Sequence, residues 1–230
     1  MTLGKIEAVA FRHPKAPVSE AYRILRTNLQ YTTVERPVKN VLITSSVPGE
    51  GKSFTAANLA IVSAQAGRKV VLVDADLRKP TQHKIFGVSN LRGLTNYLVQ
   101  GDDALDYLTA TAEEGLFLLP SGPIPPNPAD LLGSRRMEQL LLNLAEHYQS
   151  VIVDAPPVLP VTDAAVLSSK VEGVILVVRH GETKIELVRQ AKERLELARG
   201  RILGCVLNRE KIKAQEYYYY SYYGDGDEGV

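Results

Sequence analysis

Val41-Leu42-Ile43-Thr44-Ser45-Ser46-Val47-Pro48-Gly49-Glu50-Gly51-Lys52-Ser53-Phe54 is the stretch on which the reading of this chain turns. Val41-Leu42-Ile43 reads as a buried strand, and Phe54-Thr55-Ala56-Ala57-Asn58-Leu59-Ala60-Ile61 has helical composition, so the glycine-containing turn sits where a helix begins. That context predicts a phosphate-binding loop. Its backbone N–H groups and the positive end of the helix dipole would wrap a triphosphate, Lys52 would reach the β and γ phosphates, and the Ser53 hydroxyl would meet Mg²⁺. Gly49 and Gly51 let the backbone approach closely. The pattern G-x-x-x-x-G-K-[ST] asks for glycine where this chain has Ser46, while its Gly-Lys-Ser end is intact.

Two further apolar runs end in acids. Lys69-Val70-Val71-Leu72-Val73 leads into Asp74-Ala75-Asp76, and Val151-Ile152-Val153 into Asp154-Ala155-Pro156-Pro157. Consecutive apolar residues mark strands buried on both faces, and such strands deliver terminal carboxylates to the carboxyl edge of a parallel sheet, beside the phosphate loop. Asp154 fits the acid that binds Mg²⁺ directly or through water. Arg78 and Lys79 add positive charge near the same edge. Further strands are read at Leu116-Phe117-Leu118-Leu119, Gly173-Val174-Ile175-Leu176-Val177-Val178 and Ile202-Leu203-Gly204-Cys205-Val206-Leu207, the last ending at Asn208. Alternating strands and helices give an α/β fold, a P-loop NTPase-like, doubly wound and mostly parallel sheet in a single domain. No period of fixed length suggests a solenoid.

Between these strands, Ser19 is read as the N-cap of a helix with Tyr22, Leu25 and Leu29 on one stripe and Glu20, Arg23 and Arg26 on the adjoining face. Residues 1–18, with Pro14 and Pro17, read as an arm that lies on something or stays mobile, 19–210 as the folded domain, and 211–230 as a flexible tail. Asn127-Pro128 marks a helix start, Ser134 to about Tyr148 a helix, and Thr183-Lys184-Ile185-Glu186 a capping box. The segment 81–115 is assigned no chemistry.

The 230 residues are 45% hydrophobic and 23% charged, enough for one sizeable core, and 27 basic against 26 acidic residues leave no global field for nucleic acid. The single cysteine, Cys205, excludes a disulfide framework and reads as a buried thiol. With no apolar run near the ~20 residues that span a bilayer and no signal-peptide pattern, a cytoplasmic protein is expected.

Of 11 tyrosines, six fall in the tail: Tyr217, Tyr218, Tyr219, Tyr220, Tyr222 and Tyr223. An all-tyrosine stretch cannot bury one face and wet the other, so it reads as exposed, either as a sticky docking patch or as a set of phosphoryl acceptors. A last strand parallel to the first would release Asn208 on the nucleotide side, and about 10 extended residues reach roughly 35 Å.

Phosphate loop, the Val73-Asp74-Ala75-Asp76-Leu77-Arg78 motif, Asp154, the Glu20-x-x-Arg23-x-x-Arg26 helix and the tyrosine cluster together resemble the bacterial tyrosine kinases of capsule and exopolysaccharide assembly, over almost the whole chain. The resemblance implies ATP and Mg²⁺ held by Lys52 and Ser53, with Asp76 and Asp154 organising the ion and Asp74 orienting or deprotonating the acceptor tyrosine. Implied nucleotide contacts are Pro48, Gly49, Glu50, Gly51, Lys52, Ser53, Phe54 and Asn208. Glu20, Arg23 and Arg26 would make a subunit contact in a ring, with tail phosphorylation between neighbours. Implied partners are the cytosolic segment of a transmembrane activator, which would recruit the chain to the inner face of the membrane, protein tyrosine substrates and a cognate phosphatase.

Three rival readings share parts of this pattern. Septum-positioning and chromosome-partitioning ATPases have the same sheet but carry an extra lysine near the start of the loop, where this chain has Val47, and the terminal membrane helix of the septum type is missing. A GTP switch would need an Asn-Lys-x-Asp motif, which is absent, although Asn208 could contact a base. An adaptor with a docking tail would tolerate the loss of Lys52.

Overall fold

The computed structural model describes residues 6–32, 38–101 and 103–209. Among them, a seven-stranded sheet runs in the order β3-β4-β2-β5-β1-β6-β7. Its strands are β1 (Asn40–Ser45), β2 (Val70–Asp74), β3 (Thr109–Ala110), β4 (Leu116–Leu119), β5 (Ser150–Asp154), β6 (Gly173–Arg179) and β7 (Ile202–Asn208). All adjacent pairs are parallel except β3 with β4.

Helices cover both faces, so β1 and β2 are buried along their whole length. The period of two sorts each strand between two cores. Leu42, Val71, Val73, Val151, Val153, Val174 and Leu176 face the layer of α5 (Leu94–Gln100), α6 (Pro128–Gly133), α7 (Arg135–His147), α8 (Asp163–Ser168) and α9 (Ile185–Leu197). Val41, Ile43, Val70, Leu72, Ile152, Ile175 and Val177 face α1 (Val9–Arg12), α2 (Pro17–Tyr31), α3 (Lys52–Ala64) and α4 (Gln82–Phe86). Helix α3 is buried on nearly every side, lying between the sheet and the α1–α2 layer, which explains its small residues Ala56, Ala57 and Ala60.

Several expectations are corrected. Helix α2 starts at Pro17, its fixed φ suiting the first helical position, and Ser19 lies inside it, buried, with its Oγ donating to the His13 carbonyl at 2.7 Å. Of the two readings of the arm, its described part takes the first and lies on the domain: Ile6, Ala8 and Ala10 are fully buried, and the Ala10 N–H donates to Asn58 Oδ1 at 2.8 Å. Thr183 does not cap α9, whose N-cap position is Lys184; its hydroxyl bonds the Glu50 carboxylate instead. Among the described residues strand β7 is an edge with only β6 beside it, and Cys205 is exposed. Its apolar run reads as core because a one-dimensional pattern does not tell an edge from a centre. Ser134 does cap α7, accepting the Met137 N–H at 3.3 Å.

Candidate active site

The register fixes the acids. Strand β5 lies between β2 and β1, with Asp154 opposite Asp74 on one side and Ile43 on the other. Two strand ends therefore place carboxylates level with each other, at the edge where β1 turns into the phosphate loop. In that loop Gly49 and Gly51 hold φ +87° and +93°, a left-handed backbone that favours glycine. A Cβ at Gly51 would also stand 2.0 Å from Asn208 Nδ2, because Asn208 donates to the Glu50 carbonyl at 2.8 Å. The carboxyl end of β7 is thus tied to the loop, on the same side as the acids. Glu50 is buried, its carboxylate accepting the Val47 N–H at 2.8 Å and the Thr183 hydroxyl.

Lys52 is the hub. Its Nζ donates to Asp76 Oδ2 at 2.8 Å, to Asp154 Oδ1 at 3.3 Å and to Ser53 Oγ at 3.0 Å, nearly out of contact with solvent. Burial opposes its charge, but Asp154 and Asp76 outweigh that and raise its pKa, so the ammonium is held firmly. Asp76 is positioned by the Lys79 N–H, which reaches its Oδ1 at 3.0 Å. Asp74 is fully buried. Its Oδ2 accepts the N–H groups of Thr81 and Gln82 at 3.1 and 2.9 Å, while its Oδ1 has no partner among the described residues. Burial, then the neighbouring Asp154 charge, push the Asp74 carboxyl up to about 8, against the Gln82 N–H and Lys52.

The structure brings together Lys52, Ser53, Asp74, Asp76 and Asp154, and Asn208 joins them through the loop. Phe54 lies at the rim, 41% exposed. With Gly51, Asn208 and Arg209 it borders a cavity of about 820 Å³ that runs under Tyr22, Ile24 and Leu25 of α2. Arg78 does not supply free positive charge to this edge: its guanidinium pairs with the buried Asp163 carboxylate at 3.0 and 3.1 Å. On α2, Glu20 pairs with Arg23 at 2.8 Å, Arg23 also donates to the Pro14 carbonyl at 2.7 Å, and Arg26 donates to the Val62 carbonyl at 2.9 Å. The motif is thus engaged within one chain, and the Arg26 Nε is left without a partner among the described residues. The tyrosines at 217–223 lie outside the described residues.

Sequence reasoning missed Gln82, in the segment read as having no chemistry. Its side-chain amide donates to the Ser53 carbonyl at 2.9 Å and to Asp154 Oδ2 at 2.7 Å. No motif carries it, although its place just after the Asp74-Ala75-Asp76-Leu77-Arg78 turn was a signal.

Known proteins share this architecture. Residues 41–218 match the CobQ/CobB/MinD/ParA nucleotide binding domain family. The tyrosine-protein kinase YwqD of Bacillus subtilis is 46% identical over 213 residues, 92% of this chain and 90% of the relative. The chain belongs to the bacterial tyrosine-kinase family. Within that family, the putative tyrosine-protein kinase CapB of Staphylococcus aureus is 39% identical over 92% of each chain. The solved kinase domain of Escherichia coli tyrosine kinase ETK superposes with a TM-score of 0.87 at 38% identity, covering 91% of this chain and 82% of that one. The Pyrococcus furiosus cell division ATPase MinD, at 24% identity and a TM-score of 0.65, shares the fold.

Among the described residues no three His, Cys, Asp or Glu side chains cluster to cage a metal. Mg²⁺ keeps its waters and takes one or two carboxylates plus substrate phosphates. A cation already sits between Asp76 and Asp154 in the form of the Lys52 ammonium, so the donor set fits the ion. No described helix is long and apolar enough to cross a membrane.

Proposed function

We propose that this chain transfers the γ-phosphoryl group of ATP to tyrosine hydroxyls, with its own Tyr217–Tyr223 cluster as acceptor between neighbouring subunits, and so regulates capsular or exopolysaccharide synthesis. The observation that carries this reading is the Lys52 ammonium held between Asp76 and Asp154, at the mouth of a glycine loop, with Asp74 buried beside it. Binding of a triphosphate would draw Lys52 from the carboxylates to the phosphate oxygens. Ser53, Asp76 and Asp154 would then hold Mg²⁺, which supplies neutralisation of charge across the transferring group. Transfer of this kind asks mainly for positioning and charge compensation, which Lys52 and the loop amides provide.

The acceptor oxygen forms a bond to phosphorus as the bond to the ADP oxygen breaks, and the phenolic proton has to leave. Asp74, with one oxygen unpartnered among the described residues and a proton affinity raised toward the working pH, is suited in its ionised form to take it. Phe54 and Asn208 border the cavity beside the loop and would receive the nucleoside, with Pro48, Gly49, Glu50 and Gly51 shaping the phosphate cradle. Glu20, Arg23 and Arg26 would serve as the ring contact by exchanging their internal partners for a neighbour's. A transmembrane activator's cytosolic segment would recruit the protein to the membrane, and a phosphatase would reset it.

The test is intact mass and peptide mapping after Mg²⁺·ATP treatment, beside Lys52→Met. A ladder of phosphate-sized steps mapping to Tyr217–Tyr223 is expected, absent in the variant. No ladder, even with an activator segment added, would replace the kinase reading by that of an ATPase switch.

A further inference from the structure

Gln82 stands where the loop after β2 turns into α4, and its side chain is fully buried. Its Nε2 has two hydrogens, and both are used: one on the Ser53 carbonyl at 2.9 Å, the other on Asp154 Oδ2 at 2.7 Å. Both partners are acceptors, a backbone carbonyl and a carboxylate ion-paired with Lys52, so the amide must present its nitrogen to them. The same residue's backbone N–H holds Asp74 Oδ2 at 2.9 Å. One residue therefore spans the strand that ends in Asp74, the strand that ends in Asp154 and the first turn of α3.

We propose that Gln82 is a positioning residue for the magnesium site, fixing the Asp154 carboxylate relative to Ser53. This rests on the nucleotide-and-Mg²⁺ part of the function proposed above. Asp154 is completely buried, with one oxygen turned to Gln82 and the other to Lys52. With Oδ2 occupied, Oδ1 is the oxygen that remains for a cation or its water when Lys52 moves to phosphate. Ser53, whose hydroxyl is the other expected donor, is gripped through its carbonyl by the same amide. Gln82 Oε1 is itself buried without a partner among the described residues, which leaves an acceptor for a water or hydroxyl entering the site. Groups that hold a metal's ligands in this way typically contribute about 10–100-fold to metal affinity.

The experiment is a titration of a fluorescent ADP analogue on the full chain, first without metal and then with increasing Mg²⁺. Gln82→Met keeps the length of the side chain and removes both donors. Expected are metal-free binding as in the wild type and a Mg²⁺ half-saturation about 10–100-fold higher. Gln82→His, with one ring N–H, shifts it less in the same direction. In an Asp154→Asn background Gln82→Met adds nothing further, because its effect passes through that carboxylate. An unaltered Mg²⁺ response in the folded variants, an equal loss with and without metal, or a shift that adds in full to that of Asp154→Asn would overturn the assignment. No phosphotyrosine enters this measurement. A chain that binds Mg²⁺·ADP as expected and phosphorylates nothing would refute the kinase reading alone.

Discussion

Asp74 holds its proton at pH values where an unfolded chain has lost it. Its folded pKa is raised to about 8 by burial first and by the Asp154 charge second. Between the ordinary carboxylate range and about 8, the folded state therefore binds the extra proton, and stability falls as pH rises, by up to about 1.4 kcal/mol per pH unit from this one group. Chemical denaturation of the nucleotide-free protein from pH 5 to pH 8 should show a steeper loss in the wild type than in Asp74→Asn. Parallel curves would mean that Asp74 is already ionised in the folded state. Lys52, Ser53, Asp74, Asp76 and Asp154 were all legible in the sequence, because strands that end in acids and a glycine turn before a helix are local signals. Gln82 was not: apart from its place just after the Asp74-Ala75-Asp76-Leu77-Arg78 turn, no motif marks the amide that a tertiary contact engages.

At the scale of elements, the Arg78–Asp163 pair ties the turn after β2 to the start of α8. Asp163 is fully buried, whereas the Arg78 side chain is 40% exposed. Removing the cation strands a buried carboxylate, while removing the anion leaves a guanidinium that water can still reach. Arg78→Leu should therefore destabilise by roughly 2–3 kcal/mol and Asp163→Asn by less, read from denaturant midpoints. The reverse order would show that the pair does not carry the contact. From the sequence Arg78 reads as positive charge near the acid-bearing edge; its pairing with a residue 85 positions away is invisible to local reading. The same limit applies to the N-terminal segment. Pro14 and Pro17 mark an arm that either lies on something or stays mobile, and the fold decides for the first: Pro17 opens α2, and Ile6, Ala8 and Ala10 are buried against the α3 side of the sheet. Ser19 shows that an N-cap residue type is no evidence of a cap when another start lies two residues upstream.

Across the whole molecule, phosphorylation of the tyrosine cluster would change the charge balance more than any other event. The formal net charge is +1, and each phosphate brings about −1.5 to −2. On the proposed ring, several such groups would repel one another and the acidic edge, loosening the assembly. Oligomer mass measured before and after full phosphorylation should fall, and the fall should shrink with added salt. An unchanged mass would remove charge repulsion as the regulator. The doubly wound sheet, its helix-covered faces and the edge that carries the acids followed from the sequence alone. Apolar runs buried on both faces, separated by helices, allow few other arrangements, and the loop before α3 states its own chemistry. Only the tertiary structure decided which strand is an edge, that Cys205 is exposed, that Arg78 is neutralised and that Gln82 joins Ser53 to Asp154. Those facts depend on partners distant in sequence, and burial and pairing between such partners exist only once the chain is folded.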